Sequence, residues 1–426
     1  MEERSTLPTI SRRFDDGTLV ELLYDPKNRS TALAVRPAGD VGRVVESYDL
    51  PTGERLIPYS AQNNLIATGC VLLPSSIGQF ENKGDLLAAV LEFIGRYLDV
   101  SPDFAAMAAH YVLLTWVYDD FSEIPYLRLR GAFGTGKTRG LMTLGSLCYK
   151  PFFASGASTV SPIFHILEAF AGTLILDEAD FRFSDATAEL TKILNNGNAR
   201  GLPVLRTMTN RNRELNPQAF RVFGPKIVAM RQGFADAGLE SRFITEEMSR
   251  RAPSPSVPIQ IPPAFHTEAR ELRNRLLAWR FAASGTNRPT EARLIDGLDP
   301  RARQTALPLV SLIDDPSLST AVCLRVGQAD EQLRAEDRPS VEQAILASVL
   351  AAYDRGGTAG APIGMITNFF NEDAVKLVGR TVSPKWMGQY LRTTLGLHPV
   401  KAHGVFALPH SVRPKVMAMA ERLVSP

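Results

Sequence analysis

The sequence predicts an α/β protein, a parallel sheet with helices on both faces, preceded by a small β-rich module and followed by helical segments. Three observations carry this. A Gly-rich loop, "GAFGTGKT" from Gly131 to Thr138, follows the strand-like "YLRLR" and opens a helix. A continuous apolar run in "TLILDEAD", Thr173 to Asp180, ends in acids, as a buried parallel strand does. Strands then alternate with helices as far as "VFGPKIVAMRQ", the pattern of crossover connections.

With 426 residues the chain is too long for one ordinary core, and several domains are expected. Its 45% hydrophobic and 22% charged content suits a soluble globular protein. A net charge of +2 excludes a globally basic nucleic-acid binder, so any basic surface is local. Cys70, Cys148 and Cys323 are odd in number and far apart, which argues against a disulfide framework or zinc site and fits a reducing cytosol. The N-terminus has no apolar signal core, and the apolar run Phe104–Tyr118 contains His110 and is too short to span a bilayer. The expectation is a cytoplasmic protein with no membrane partner.

The elements follow in order. From Thr9 to Leu73, "GTLVELLYD", "TALAVRP", "GRVVESYDL", "ERLIPYS" and "CVLLP" are short strands punctuated by Gly and Pro. "NKGDLLAAVLEFIGRYLDV" sets Leu86, Leu87, Val90, Leu91 and Ile94 on one helical face. The next helix starts with Ser101 as N-cap and Pro102 in its first turn. "SPIFHILEAF" is a helix opening at Ser161, and "TAELTKILNNG" another. "VLRTMTN" and "NPQAFRVF" are two short strands joined by a tip carrying Arg211 and Arg213. "APSPSVPIQIPP" marks a boundary, after which the chain is helical; three helices and a small hairpin from Pro339 onward have the pattern of a winged helix. The expected divisions are 1–80, 81–124, 125–251, 264–335 and 339–426.

The loop satisfies G-x-x-x-x-G-K-[ST] at every required position. Its glycines let backbone N–H groups curl around phosphates, and the helix N-terminus adds positive potential. Gly131, Gly134, Thr135, Gly136, Lys137, Thr138 and Arg139 are the nucleotide-binding set. Lys137 would contact the β/γ oxygens, and the Thr138 hydroxyl and Asp177 would hold Mg²⁺. Glu178 would polarise the attacking water, a general-base role that hydrolytic NTPases need and small-metabolite kinases do not. Arg211 and Arg213 could contact nucleic-acid phosphates, with Arg200 and Arg206 on the same basic surface or facing a neighbouring subunit. The helicase-like "DEAD" string is discounted, because no second set of buried strands follows.

Phosphate loop, Asp-Glu strand, inserted hairpin, polar strand end and "SRF" at Ser241–Phe243 together resemble AAA+ ATPases of the clade with a hairpin before sensor 1, which holds superfamily 3 and MCM-like helicases. More narrowly, they resemble the helicase part of primase–helicase proteins of phages and mobile elements. The resemblance covers about Pro125 to Arg251. It implies ATP and Mg²⁺ as cofactors and Arg231 or Gln232 as the γ-phosphate sensor. It implies Arg242 as a finger reaching the neighbouring subunit's nucleotide in a ring, a hexamer, with DNA and a primase or other replication protein as partners. Arg250 and Arg251 close this segment, and Arg273 on the following helix is where a second sensor arginine would fall. In the tail, Lys385, Trp386, Arg392, Lys401 and His403 make a locally basic region. Two readings stand: a DNA helicase or translocase, and an ATP-dependent replication initiator, loader or transposition regulator.

Overall fold

Short strands rich in β-branched and aliphatic residues begin the chain: β1 (Thr6–Thr9), β2 (Ser11–Arg13), β3 (Leu19–Asp25), β4 (Ser30–Arg36), β5 (Arg43–Val45), β6 (Tyr48–Asp49) and β7 (Arg55–Pro58). In this computed structural model, residues 5–155, 158–177, 185–209, 215–234, 236–249, 254–336, 341–356, 360–378, 380–402 and 404–424 are described. The seven strands form two sheets, ordered β2-β3-β4-β5 and β1-β7-β6. "CVLLP" does not become a strand. Val71 makes one antiparallel bridge to Phe152, and Pro74, lacking an N–H, follows shortly after.

A short helix α1 (Asn64–Ala67) leads to α2 (Lys83–Tyr97), capped by the Asn82 side chain, and α3 (Pro102–Val117), capped by Ser101 with Pro102 in its first turn. Nearly every residue of α3 from Phe104 to Val117 is buried, as a helix apolar on all sides must be. Among the described residues no helix is long and apolar enough to cross a membrane.

The α/β section runs β8 (Tyr126–Arg130), α4 (Lys137–Gly145), β9 (Phe152–Ser155), α5 (Val160–Phe170), β10 (Leu174–Asp177), α6 (Asp185–Asn196), β11 (Val204–Thr209), β12 (Leu215–Phe220), β13 (Lys226–Met230), α7 (Ala237–Glu240) and β14 (Phe243–Glu247). Helix α5 starts earlier than the Ser-Pro signal suggested, with Thr159 as N-cap and no side-chain cap bond. The five strands β14-β8-β13-β10-β9 form one sheet, parallel throughout. Strand alternation sorts its side chains. Leu127, Leu129, Ile175, Ile227 and Ala229 pack in one core with α2, α3 and α4, while Tyr126, Leu174, Leu176, Val228 and Met230 pack in another with α5 and α6. Helices α8 (Ala264–Ala283), α9 (Pro300–Val310) and α10 (Pro316–Glu336) follow, and their apolar residues join the first core.

The chain divides into two compact units, Met1–Glu331 and Gln332–Pro426. The second contains α11 (Val341–Gly356), β15 (Ala361–Pro362), α12 (Ile363–Val378), α13 (Pro384–Thr393), β16 (Val400–Ala402), β17 (Val405–Leu408) and α14 (Arg413–Val424). Its strands pair antiparallel as β15-β17-β16, and its own core includes Ile345, Val349, Ile366, Phe370, Met387 and Leu391.

One buried ionic node joins four segments of the first unit. Glu21 on β3 accepts from Tyr149 Oη at 2.7 and 2.9 Å and from Arg280 Nε on α8 at 2.8 Å. Lys150 Nζ lies 3.1 Å from Glu21 Oε2, an ion pair outside hydrogen-bond geometry. Arg280 also donates to both carboxylate oxygens of Asp119, just past α3, at 2.8 and 2.9 Å. Burial pushes the Lys150 ammonium down to about 8 against the pull of Glu21. Burial raises the Asp119 carboxyl, but Arg280 outweighs it and holds the group down to about 2. Glu21→Ala would leave Lys150 without its buried counter-charge, at a cost of about 3–5 kcal/mol. The expected outcome is a clear fall in the thermal unfolding midpoint of the first unit, read by calorimetry, whereas removing the exposed Arg43–Asp40 pair changes it little.

Candidate functional site

The loop between β8 and α4 is shaped by its glycines. Gly134 and Gly136 have φ of +78° and +85°, the left-handed region that side chains with a Cβ rarely adopt. A Cβ on Gly131 would stand 2.4 Å from the Met248 carbonyl, so only glycine lets the residue after β14 close over the loop. Lys137 Nζ donates to the carbonyls of Gly131 and Ala132, both at 2.7 Å, and Thr135 Oγ1 donates to Ala132 O at 3.0 Å.

Across the loop, Thr138 Oγ1 donates to Asp177 Oδ2 at 2.7 Å. The two residues lie 39 positions apart, and strand order brings them together. Strand β13 sits between β8 and β10, and its Met230 carbonyl accepts from Gly131 N at 3.2 Å. Arg231 and Gln232 therefore emerge, exposed, beside the first residue of the loop. Glu178 lies outside the described residues, as do Asp180, Arg211, Arg213, Arg250, Arg251 and His403.

A cavity of about 300 Å³ adjoins the loop, walled by Leu98, Val100, Met248 and Val257 and edged by Thr135 and Gly136. Arg139 shapes it. Its guanidinium donates to the Pro258 carbonyl at 2.9 Å and to that of Ile259, and so holds the Pro-rich segment as a wall. The Asp99 carboxylate accepts from Ser254 N at 3.0 Å and anchors the start of the same segment. Sequence reading did not find Val100, Met248 or Val257, because they come from three connections with no shared motif. The only available signal was the break "APSPSVPIQIPP", which had been read solely as a boundary.

Strand β8 carries two arginines, and both find acidic partners near β14, while Leu127 and Leu129 of the same strand pack against α2 and α3. Arg128 is buried at 3% exposure inside its own sheet. It donates to Glu240 at 2.5 and 2.7 Å and to Thr245 Oγ1 at 3.0 Å, and lies 4.9 Å from the Phe243 ring centroid. Arg130 pairs with Glu247 on the adjacent β14 at 2.5 Å.

Other arginines are also held within the chain. Arg242 is half-buried and donates to the carbonyls of Leu194 and Asn195 and to Asn195 Oδ1, at the end of α6. Burial lowers its pKa, and the nearby Arg301 charge adds to this. Arg200 donates to Phe121 O and Asp119 O, and Arg206 pairs with Glu189 at 3.2 Å over the Phe164 ring. Neither guanidinium is simply an open basic surface. Arg273 is buried and donates to Ser146 O at 2.6 Å, at the C-terminal end of α4, a helix length from Lys137. It does not reach the loop, because packing against α4 has turned it to the helix's other end. Strands β11 and β12 form an isolated antiparallel ribbon, with Leu205 and Leu215 exposed. At its base, buried Lys226 Nζ donates to the carbonyls of Gly197, Val222 and Gly224, and burial pushes it down to about 7.

No family model matches the chain, and no curated protein sequence matches it. Among solved structures, the A-form apo structure of the NrS-1 C-terminal region aligns at 10% identity over 92% of this chain and 96% of that one, with a TM-score of 0.36. A JCV helicase with a bound phenoxyphenyl acetamide aligns at 15% identity over 62% of this chain and 64% of that one, with a TM-score of 0.27. Drosophila ORC bound to DNA aligns at 14% identity over 82% and 96%, with a TM-score of 0.20. All three likenesses are weak in score and identity alike.

Glu240→Gln would keep the volume at the Arg128 contact and remove its charge. Arg128 would then be an uncompensated cation in the sheet, costing about 3 kcal/mol or more. The expected result is a lowered denaturant midpoint with an unchanged slope, measured by urea unfolding.

Proposed function

We propose that the chain is a nucleoside-triphosphate hydrolase of the AAA+ kind, using ATP and Mg²⁺ to drive a ring-forming motor on DNA. The observation that carries this reading is the 2.7 Å bond from Thr138 to Asp177, which joins the first turn after the Gly-rich loop to the acidic end of β10. A hydroxyl and a carboxylate meeting beside a loop of left-handed glycines are the donor set a triphosphate-bound Mg²⁺ requires. Bound Mg²⁺ would supply charge neutralisation on the β- and γ-phosphates. Lys137 would exchange its two loop carbonyls for phosphate oxygens, and the backbone N–H groups of Gly134–Thr138 would line the anion. The base would rest in the cavity held by Arg139. Glu178, next after Asp177, would orient and polarise the attacking water, with Arg231 or Gln232 reading the γ-phosphate.

The hairpin clade, the ring and the DNA partner rest on the resemblance of the sequence. In this reading the β11–β12 ribbon carries Arg211 and Arg213 toward DNA, and the second unit is a winged helix. Arg242 would leave the α6 carbonyls to serve the neighbouring subunit. Near-neutral net charge favours the second reading, an initiator or loader in which ATP governs assembly. Strand displacement by the purified protein separates the two: unwinding keeps the motor, and DNA-stimulated hydrolysis without it selects the loader.

Lys137→Ala is expected to abolish ATP turnover, and Glu178→Gln to keep ATP binding while hydrolysis falls about 10²-fold or more. A phosphate-release assay beside binding of a fluorescent ATP analogue checks both, and normal hydrolysis by Lys137→Ala would sink the assignment. Arg242→Ala is expected to hydrolyse poorly yet bind DNA normally, and to depress the rate more than proportionally when titrated into wild-type protein. A merely proportional fall in that titration rejects the trans role.

A further inference from the structure

A second cavity, of about 360 Å³, opens where the start of α2, the end of α8 and the segment after α9 meet. It shares no lining residue with the cavity beside the Gly-rich loop, and the proposed hydrolysis gives it no task. The sequence builds its rim in "SGTNRPT", Ser284 to Thr290. Gly285 takes a φ of +83°, and Pro289 has no N–H with which to continue a helix, so α8 stops and the chain turns. The Asp120 carboxylate pins this turn. It accepts from Gly285 N at 2.9 Å and from Asn287 Nδ2 at 2.8 Å. Thr290 N donates to Ser311 Oγ at 2.9 Å and fastens the far end of the turn to the end of α9.

Several polar groups of the wall remain open. Trp279 is 3% exposed, yet its indole N–H has no acceptor among the described residues, where a buried tryptophan ordinarily finds one. Arg288 is exposed, and among the described residues no acid or carbonyl engages its guanidinium. Asn287 directs its amide N–H groups to Asp120 and the Ala283 carbonyl, which leaves Oδ1 as an acceptor. Thr286 and Thr290 donate their hydroxyls to the carbonyls of Ala283 and Arg288, at 2.7 and 3.0 Å, and keep lone pairs on the oxygens. Among the described residues Asp314 is the one acid in the wall, and it is already neutralised. Lys83 Nζ donates to it at 2.7 Å and Arg293 at 3.0 Å. The Lys83 bond first, and Arg293 after it, hold its carboxyl below the ordinary range against the effect of desolvation.

We propose that this cavity binds a small hydroxylated molecule carrying one oxyanion, a sugar phosphate or a sugar acid. The oxyanion accepts from Arg288 and from the Trp279 N–H, and the ligand's hydroxyls donate to Asn287 Oδ1 and the two threonine oxygens. Its carbon skeleton lies against Trp279, Ala283 and Leu312. The chemistry of the wall selects this class. A purely apolar ligand would seal the indole N–H and the amide oxygen away from water without partners, a costly outcome for each. A cation would meet Lys83 and Arg288, and a neutral polyol would leave Arg288 without a counter-charge. The volume lies at the small end of ligand pockets, which run from about 300 to 1,000 Å³, and suits one sugar rather than a chain of them.

The test is calorimetric titration of the full chain, at neutral pH and without nucleotide, with ribose 5-phosphate, gluconate, sorbitol and inorganic phosphate. One or both of the first two are expected to bind at one molecule per chain, about tenfold or more tighter than sorbitol or inorganic phosphate. Which of them binds better tells a phosphate from a carboxylate ligand. Arg288→Ala is expected to weaken that binding about tenfold or more, as loss of a charged hydrogen bond does. Its unfolding midpoint without ligand stays at the wild-type value, because the side chain is exposed, and this separates lost binding from lost fold. Trp279→Phe keeps an aromatic ring without the N–H and is expected to weaken binding about fivefold. The proposal is overturned if neither anionic probe binds at millimolar concentration, or if sorbitol binds as tightly as they do. Binding that Arg288→Ala leaves unchanged also overturns it, since a sugar phosphate held by the Gly-rich loop instead would behave in that way.

Discussion

Glu21 is the constraint on which the architecture of the first unit turns. A carboxylate removed from water is tolerable only when several donors surround it. Here the donors are the Tyr149 hydroxyl in the turn after α4 and the Arg280 guanidinium on α8, with the Lys150 charge beside them as an ion pair. Arg280 then carries the connection to Asp119 after α3. The N-terminal strands, the helical layer and the sheet are therefore locked in one register by charges that would be costly to separate. Apolar packing alone would let these layers slide; the directional bonds of the node forbid it.

The sheet uses the same device near its functional edge. Arg128 at the centre of β8, with Glu240 and Thr245 as partners, fixes β8 against β14. Met248 then follows β14 directly onto Gly131, and Arg139 draws the Pro-rich segment over the loop from the other side. The loop and the cavity are thus held in place partly by residues outside them, and a substitution at Glu240 would disturb the site without touching it.

Much of the organisation was legible in the residues. Periodicity announced α2, and the Ser101–Pro102 start announced α3 with its cap, since caps and apolar stripes are local properties of the chain; the Asn82 cap of α2 emerged only in the structure. The Gly-rich loop and the Asp177 strand end were readable because each is a local pattern, glycines ahead of a helix and an apolar run ending in acid. "CVLLP" misled because an apolar run reports burial, not pairing, and Val71 found only a single bridge. Arg128 was not interpretable locally, because the carboxylate that makes its burial tolerable, Glu240, lies 112 residues away.

By itself, the sequence determined most elements, their order and the glycine conformation of the loop, because propensity, capping and backbone freedom act over a few residues. Only tertiary structure decided what stood beside what. It inserted β13 between β8 and β10, brought Thr138 within 2.7 Å of Asp177, turned Arg273 to the far end of α4 and bound Arg242 to the carbonyls of α6. These outcomes depend on strand order and on which buried charges find partners. Both are settled by summed packing and desolvation over the whole unit, and no local window of residues contains that sum.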